Sequence, residues 1–232
     1  MLKFSKAMGY LPDPERSRPY ITDEEKELGT ATPAHPVPFH CKPWMDEQSL
    51  GWTLFYGYLT PITIIGLGDG QIQVENFKKL QAESQVKDIV KRFFSGRHVG
   101  IPATGYSLLT EPNWVSLMLP PTHPPAGYEL VSGVLETDWY PLETPVLFRL
   151  PAKGVEIKLE YKTELARVVP MPRRRESAVA VEMSGEEHEA LLERRAAYLR
   201  ALEETEGKPL VSGAQLKQIY HKWSAERRRE TM

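Results

Sequence analysis

Short apolar runs separated by proline and glycine fill the middle of the chain, between residues 44 and 173. Residues 155–161, VEIKLEY, show the pattern most clearly, because apolar and charged residues alternate with the two-residue period of a half-buried strand. The expected core face of this strand consists of Val155, Ile157, Leu159 and Tyr161. Similar runs occupy residues 51–66, 71–77, 99–109, 114–119, 128–137, 145–150 and 165–171. This succession predicts a mainly β domain over residues 44–173, an antiparallel β-sandwich or jelly-roll-like barrel.

Helices are predicted at one place inside this domain and at the C-terminal end. Residues 84–96 fit one inserted helix, with Ser84 as N-cap and an apolar face of Val86, Ile89, Val90 and Phe93. Residues 184–229 fit a helical appendage, an α-hairpin whose two helices open with the capping boxes SGEE (184–187) and SGAQ (212–215). The expected apolar face of the second helix consists of Leu216, Ile219, Tyr220 and Trp223. That face must be buried on the β domain or on another subunit.

Residues 1–43 differ from the rest of the chain because seven prolines interrupt them and no periodicity persists. Such a segment cannot build a core of its own. We expect a proline-rich extended arm that lies on the body, binds a neighbour or stays disordered.

Charge and cysteine content exclude several classes of protein. The formal net charge of −2 gives no strong signal for nucleic acid or for an anionic membrane surface. No apolar stretch is long enough to span a membrane, and the N-terminal sequence lacks the apolar centre of a secretory signal peptide. The single cysteine, Cys41, excludes a disulfide framework and a zinc site built from several thiolates.

The stretch GVLETDWYP, residues 133–141, is the most compact group of acidic and aromatic side chains. If a strand continues through Asp138, then Glu136 and Asp138 project from one face, where two carboxylates can bind a divalent cation or divide acid and base roles. Alternatively the strand ends here, because Pro141 restricts the residue before it and threonine and aspartate favour turns. Trp139 would then cover the end of the core. Glu136, Asp138 and Trp139 are the ligand-binding candidates.

No enzyme signature accompanies this stretch. The six histidines form none of the HxH, HxxxH or HxD spacings that are typical of metal sites. The glycine-rich turn at residues 66–70 lacks the Lys-Ser/Thr pair of a phosphate-binding loop, and no GxSxG motif occurs. We therefore assign no catalytic residue, no metal ligand and no cofactor, and the sequence favours a protein without enzymatic activity.

Four segments occur in an order that is found in a known family: PWMD (43–46), GW (51–52), LLTEPNW (108–114) and GVLETDW (133–139). Over about residues 40–172 the chain resembles an uncharacterised bacterial and phage family, domain of unknown function 6065. The spacing between PWMD and GW departs from the family pattern, and the Asn-rich loop expected near residues 120–125 is missing. The resemblance implies a shared β fold and carries over no reaction.

A fainter similarity links GVLETDWYP to a strand and turn of the trimeric dUTPase-like fold. In that fold an acid activates water and an aromatic ring packs on deoxyribose. The Arg-Ser-Ser phosphate motif of that fold is missing here, so the similarity is an analogy between folds.

Two functions are compatible with these observations. The first is a structural or interaction protein, a self-assembling phage virion component associated with the capsid or tail. It would be held by its N-terminal arm and C-terminal helices, its partners would be itself or other virion proteins, and it would be located in the virion or host cytoplasm. The second is an enzyme or a β protein that binds a small, nucleotide-like ligand through Glu136, Asp138 and Trp139.

Overall fold

The computed structural model describes residues 1–31, 41–93, 97–173, 181–205, 208–209, 215–216 and 219–230. The chain divides into two compact units. The first unit consists of Met1–Tyr20 and Gln48–Arg174, and the second consists of Ile21–Glu47 and Arg175–Met232. The first boundary therefore follows Tyr20, whereas the sequence placed the end of the arm at residue 43.

The first unit is a mainly β, sandwich-like fold, as the spacing of its apolar runs predicted. Its strands are β1 (Leu2–Lys6), β2 (Glu15–Arg16), β3 (Trp52–Phe55), β4 (Ile62–Gly68), β5 (Gln71–Val74), β6 (Lys91–Phe93), β7 (His98–Ile101), β8 (Tyr106–Thr110), β9 (Trp114–Leu119), β10 (Gly133–Leu135), β11 (Val146–Arg149), β12 (Glu156–Leu159) and β13 (Glu164–Pro172). Every strand pair in the described residues is antiparallel.

These strands form four sheets, and the largest has five strands in the order β10-β9-β13-β3-β2. Two sheets have three strands, in the orders β11-β7-β6 and β12-β4-β5, and β1 pairs with β8. Strand β13 lies in the middle of the five-stranded sheet although it is the last strand of the unit in sequence. It is also the longest strand of the unit, and it pairs with β3 over Glu164–Val168 and with β9 over Arg167–Pro172.

The alternation of apolar and charged residues along the strands places the apolar side chains in the core. In β12, Ile157 and Leu159 are completely buried, whereas Glu156 and Lys158 point to solvent. The predicted inward face is confirmed for these residues. Tyr161 lies beyond the end of the strand and is 41% exposed, so its predicted place on the core face is wrong.

The first twenty residues belong to the β body. Strand β1 pairs with β8 from Leu2 opposite Thr110 to Lys6 opposite Tyr106, and β2 pairs with β3. Leu11 is 1% exposed and belongs to a buried cluster with β3 and β8 side chains. Of the three alternatives for the arm, lying on the body is therefore realised by residues 1–20.

Helix α3 (Phe77–Ser84) helps to hold this N-terminal segment. The Glu83 carboxylate accepts hydrogen bonds from Tyr10 Oη at 2.6 Å, the Leu59 amide at 2.7 Å and the Thr60 amide at 2.9 Å. Burial raises the pKa of Glu83, but these donors lower it further than burial raises it, so the pKa lies below the usual value. Burial and then the bond to Glu83 raise the pKa of Tyr10 to about 12.

The predicted helix over residues 84–96 is wrong. Gln85 adopts the left-handed conformation, with φ 58°, and ends α3 one residue after Ser84. Lys91–Phe93 then form strand β6, and residues 94–96 lie outside the described part of the chain. The apolar pattern predicted the burial of Ile89 and Val90 correctly. A turn rather than a helix places these two side chains in the core.

The second unit contains the remaining helices. These are α1 (Asp23–Ala31), α2 (Lys42–Gln48), α4 (Gly185–Glu204) and α5 (Ile219–Glu230). The last residue of α2, Gln48, is counted with the first unit. The predicted capping box of α4 is confirmed, because Ser184 Oγ accepts from the Glu187 amide at 3.3 Å and Glu187 Oε2 accepts from the Ser184 amide at 2.8 Å. The bond to the Ser184 amide lowers the pKa of Glu187. Among the described residues, no helix has both the length and the apolar character that a membrane crossing requires.

The last helix begins later than the capping box at residues 212–215 predicted. Gln215–Leu216 forms strand β15, which pairs with β14 (Lys208–Pro209), and α5 starts at Ile219. Leu216 therefore does not belong to a helical face, because its backbone is already paired in a strand; residues 211–214 lie outside the described residues. Within α5, Ile219 is buried and the Trp223 ring meets the Tyr198 ring of α4 edge-on, with centroids 5.2 Å apart.

Candidate functional site

The GVLETDWYP stretch is a strand end, not a continuous strand. Strand β10 stops at Leu135, and a turn follows in which the amides of Trp139 and Tyr140 both donate to the Glu136 carbonyl, at 3.2 and 2.9 Å. The condition under which Glu136 and Asp138 would share a strand face is therefore not met. The two carboxylates are nevertheless brought together, by a residue far away in the sequence.

Arg173 joins the two carboxylates. It directly follows β13, and its guanidinium donates through Nη1 to Glu136 Oε1 and through Nη2 to Asp138 Oδ1, the latter at 2.7 Å. We call Glu136, Asp138 and Arg173 the clamp. Hydrogen bonding to Glu136, followed by the bond and charge of Asp138, raises the pKa of Arg173 above its ordinary value. Arg173 is therefore a fixed positive charge between two acidic side chains.

The clamp also fixes the turn that precedes β9. Asp138 Oδ2 accepts from the Asn113 amide at 3.2 Å, and the Asn113 carbonyl accepts from the Arg173 amide at 2.6 Å. Asn113 has φ 66°, a left-handed conformation that asparagine tolerates better than most residues. Both oxygens of Asp138 are thereby used, and the side chain is only 13% exposed.

Thr137, between the two acids, points the other way, into the protein. It is completely buried, and its hydroxyl lies 2.9 Å from both the Thr110 and the Ser116 hydroxyls. The Thr137 carbonyl accepts from the Thr110 amide at 3.0 Å. Thr137 therefore joins the end of β10 to β8 and β9 inside the protein. Glu136 and Asp138 join it to the end of β13 at the surface.

Trp139 does not cover the core, so that expectation is wrong. Its side chain is among the most exposed apolar ones described, at 61%. The indole Nε1 donates to Glu136 Oε2 at 2.8 Å, which fixes the orientation of the ring. Because Glu136 in turn accepts from Arg173, the clamp holds an indole ring at the surface with most of its area open to solvent.

All four carboxylate oxygens already accept a hydrogen bond: those of Glu136 from Arg173 and Trp139, and those of Asp138 from Arg173 and the Asn113 amide. Acid–base chemistry or cation binding would have to displace these donors or use the exposed part of Glu136. Within the described ranges, no group of three or more His, Cys, Asp or Glu side chains is arranged to hold a metal ion. The most exposed group at this site is the Trp139 ring.

Sequence reasoning found Glu136, Asp138 and Trp139 but missed Arg173, Asn113 and the two hydroxyl partners of Thr137. Arg173 lies 37 residues from Glu136 and 35 from Asp138, and no local pattern connects such positions. The signal that was present is a basic residue directly after the proline that follows the strand predicted at residues 165–171. A basic residue at the end of another strand of the same sheet is a candidate partner for two acids at a strand end.

The fold and the site together define a mainly β protein with an internal clamp and an exposed, oriented indole. No protein-family model matches the chain, and no curated protein matches it. The resemblance to domain of unknown function 6065 stays a prediction carried by the quoted motifs.

Proposed function

We propose that this protein is a structural component that acts by binding copies of itself or other proteins of an assembly. The observation that carries this proposal is the use of the Glu136 and Asp138 carboxylates inside the fold, with Trp139 held open beside them. A rigid exposed indole is a favourable anchor for a protein contact, because it buries a large area at little cost in conformational entropy. The resemblance to a bacterial and phage family supports a place in a phage virion, associated with the capsid or tail.

The strand before the indole supports the same proposal. Strand β10 is the outer strand of the five-stranded sheet, so one of its edges is unpaired within that sheet. Gly133–Leu135 contain no charged side chain, although charges are a common protection of free edges. Val134 and Leu142, before and after Trp139, are 61% and 63% exposed. An uncharged edge with exposed apolar side chains is suited to pairing with another chain.

The test is the mass of the full chain in solution as a function of concentration, by sedimentation velocity. We expect oligomers that dissociate on dilution and that weaken in Trp139→Ala and Val134→Lys. Leu67→Lys is the matched control, because Leu67 is an exposed strand residue of another sheet, at 46%. A wild-type chain that stays monomeric at every concentration, with no assembly protein captured from phage-infected cells, would contradict the proposal.

The place in a virion has its own test, since it depends on the resemblance. Genes for capsid or tail proteins beside the gene for this chain would support it, and detection of the chain in purified particles by mass spectrometry would do so directly. Absence from particles of a phage that expresses it would remove the virion from the proposal and leave the interaction role.

The exposed indole also favours one alternative, the binding of a small ring-containing ligand by stacking. Nucleotides fit this alternative poorly, because the clamp combines two carboxylates with one guanidinium and offers no spare positive charge to a phosphate. Thermal shift with a panel of nucleosides, nucleotides and divalent cations decides the matter. Stabilisation of the wild type that disappears in Trp139→Ala would establish ligand binding, and no stabilisation would exclude it for that panel.

A further inference from the structure

Helix α4 is exposed along most of its length. None of its 20 residues is buried, and Leu191, Leu192 and Leu199 are 41%, 47% and 45% exposed. Contact with α5 involves Tyr198, which is half-buried against Trp223. Leu192 and Leu199, seven residues apart, lie within about 20° of each other around the helix and form an apolar stripe on another side. A helix of this kind gains most of its stability by packing that stripe against something.

The flank of this stripe has an uneven distribution of charge. Glu189, Glu193 and Arg200 lie within about 40° of one another around the helix, about 90° from the leucine stripe. Glu189 and Glu193 are four residues apart, a spacing at which like charges repel. None of the three forms an ion pair with a residue that the structure describes. The flank therefore carries two uncompensated acids near one end and one uncompensated arginine toward the other.

We propose that α4 pairs with α4 of a second copy, antiparallel, through Leu192 and Leu199. A two-fold axis midway between the two leucines places Leu192 of each copy level with Leu199 of the other. The same axis brings Arg200 of one copy level with residue 191 of the other, about 3 Å along the axis from both Glu189 and Glu193. Arg200 of each copy thus lies near two carboxylates, those of Glu189 and Glu193 of the other copy. This inference rests on the proposed self-association and names the surface and its register.

A parallel pair of the same helices would not bring these charges together. Its two-fold axis runs along the helices, so this flank of one copy lies on the opposite side of the seam from the same flank of the other copy, and Arg200 meets neither Glu189 nor Glu193. In the antiparallel pair the residue that opposes its own copy is Arg195, which lies level with the axis at the edge of the stripe. Its long side chain can reach solvent from there, but two arginines near one axis weaken the pair. Replacing Arg195 by leucine is therefore expected to strengthen it.

The experiment is sedimentation equilibrium of the full chain with charge-swap variants of this flank. We expect the dissociation constant to rise about tenfold or more in Glu189→Arg/Glu193→Arg and also in Arg200→Glu, because each places like charges opposite one another. The triple variant restores opposite charges with the signs exchanged, and its dissociation constant should return to within about threefold of the wild type. Arg195→Leu should lower the dissociation constant about threefold or more.

Arg194→Glu is the matched control for Arg200→Glu. It makes the same change of charge on the same helix, about 150° from the leucine stripe, and should leave the dissociation constant unchanged. Circular dichroism of every variant checks that the helix remains. Equal effects of Arg194→Glu and Arg200→Glu, or failure of the triple variant to recover with helix content intact, would overturn the proposed pairing.

The two proposals fail in different ways. If the chain self-associates but the charge swaps have no effect, the α4 pairing is wrong and the proposed function stands. If Trp139→Ala and Val134→Lys leave association unchanged while the charge swaps follow the pattern above, α4 pairing holds and the β10 edge is not the interface. A chain that is monomeric at all concentrations contradicts the α4 pairing, and together with no captured assembly partner it contradicts both.

Discussion

The Glu-Thr-Asp turn and helix α4 differ in how many of their side chains are buried or paired. In the turn, Thr137 is completely buried with two hydroxyl partners, and both flanking acids bind one guanidinium. In α4 no residue is buried, and three leucines are more than 40% exposed. The turn is complete within one chain, whereas the helix has exposed leucines and three flank charges that form no ion pair with a described residue.

This difference shows where function is to be sought. A group of acids beside a tryptophan suggests a reactive site in the sequence. In the structure, the hydrogen bonds of this turn connect four strands, and each carboxylate oxygen already accepts a hydrogen bond. The helix has no motif beyond its capping box, yet its leucines are exposed and its flank charges have no ion-pair partner among the described residues. Substitutions of the buried or paired side chains Thr137 and Arg173 should therefore change stability, whereas substitutions of the exposed Trp139 and of the α4 surface should change association.

The largest expected effect is that of Thr137→Val, which removes a hydroxyl that two buried hydroxyls contact. We expect the free energy of unfolding to fall by about 2 kcal/mol, because Ser116 and Thr110 lose a partner that water cannot replace. Urea denaturation measures it. Thr137→Ser is the control, since it keeps the hydroxyl and removes one methyl group, at a cost of about 1 kcal/mol. A larger loss in the serine variant would mean that packing, not hydrogen bonding, makes this position important.

The next effect is that of Arg173→Ala, which leaves two carboxylates facing each other. We expect a loss of about 1.5 kcal/mol, because Asp138 is only 13% exposed and loses its charged partner. The matched control is Arg149→Ala, whose ion pair with Glu129 is about 70% exposed on both sides and should contribute less than about 0.5 kcal/mol. Equal losses in the two variants would show that Arg173 is an ordinary surface residue. Arg173→Ala should also free the indole of Trp139, which is visible as a change in tryptophan fluorescence anisotropy.

A smaller effect depends on pH and concerns Glu83. Since its pKa is lowered in the folded chain, Glu83 contributes stability above the ordinary value of 4.5, and this contribution is lost as pH falls below that value. Glu83→Gln should cost about 1 kcal/mol at neutral pH and should make stability fall less steeply with acid. Urea midpoints measured from neutral to acidic pH test this, with the exposed Glu75→Gln as the control. Parallel pH curves for wild type and Glu83→Gln would contradict it.

The smallest effect on stability is expected in α4. Leu199→Ala should change the free energy of unfolding of the monomer by less than about 0.5 kcal/mol, because the side chain is 45% exposed and alanine favours helix. The same substitution should weaken self-association. A large loss of stability measured at high dilution would show that Leu199 is part of the core of a single chain, and the contrast between turn and helix would disappear.

Much of the strand pattern could be predicted because alternation and turns are local. The run at residues 114–119 became β9 with the same bounds, and Ile157 and Leu159 of β12 are buried as expected. The inserted helix could not be placed from its apolar spacing, since a left-handed Gln85 and a turn bury Ile89 and Val90 equally well. Strong helix formers in Phe77–Ser84 were the better signal.

The candidate site was located by the sequence but not understood from it. The acids and the indole were found because they are neighbours, whereas the meaning of their arrangement depends on Arg173 and Asn113, which only the sheet brings close. The indole faces solvent and is oriented by its hydrogen bond to Glu136 Oε2. No spacing rule contains that information.

The central position of β13 has a consequence for how the protein is made. Its partners β3 and β9 end at Phe55 and Leu119, but β13 itself spans Glu164–Pro172. At a translation rate of about 5–20 residues per second, the ribosome needs on the order of ten seconds to travel from β3 to β13. During that time the five-stranded sheet lacks its middle strand, so it cannot close until β13 has been synthesised. The nascent chain should therefore depend on chaperones that shield open strand edges.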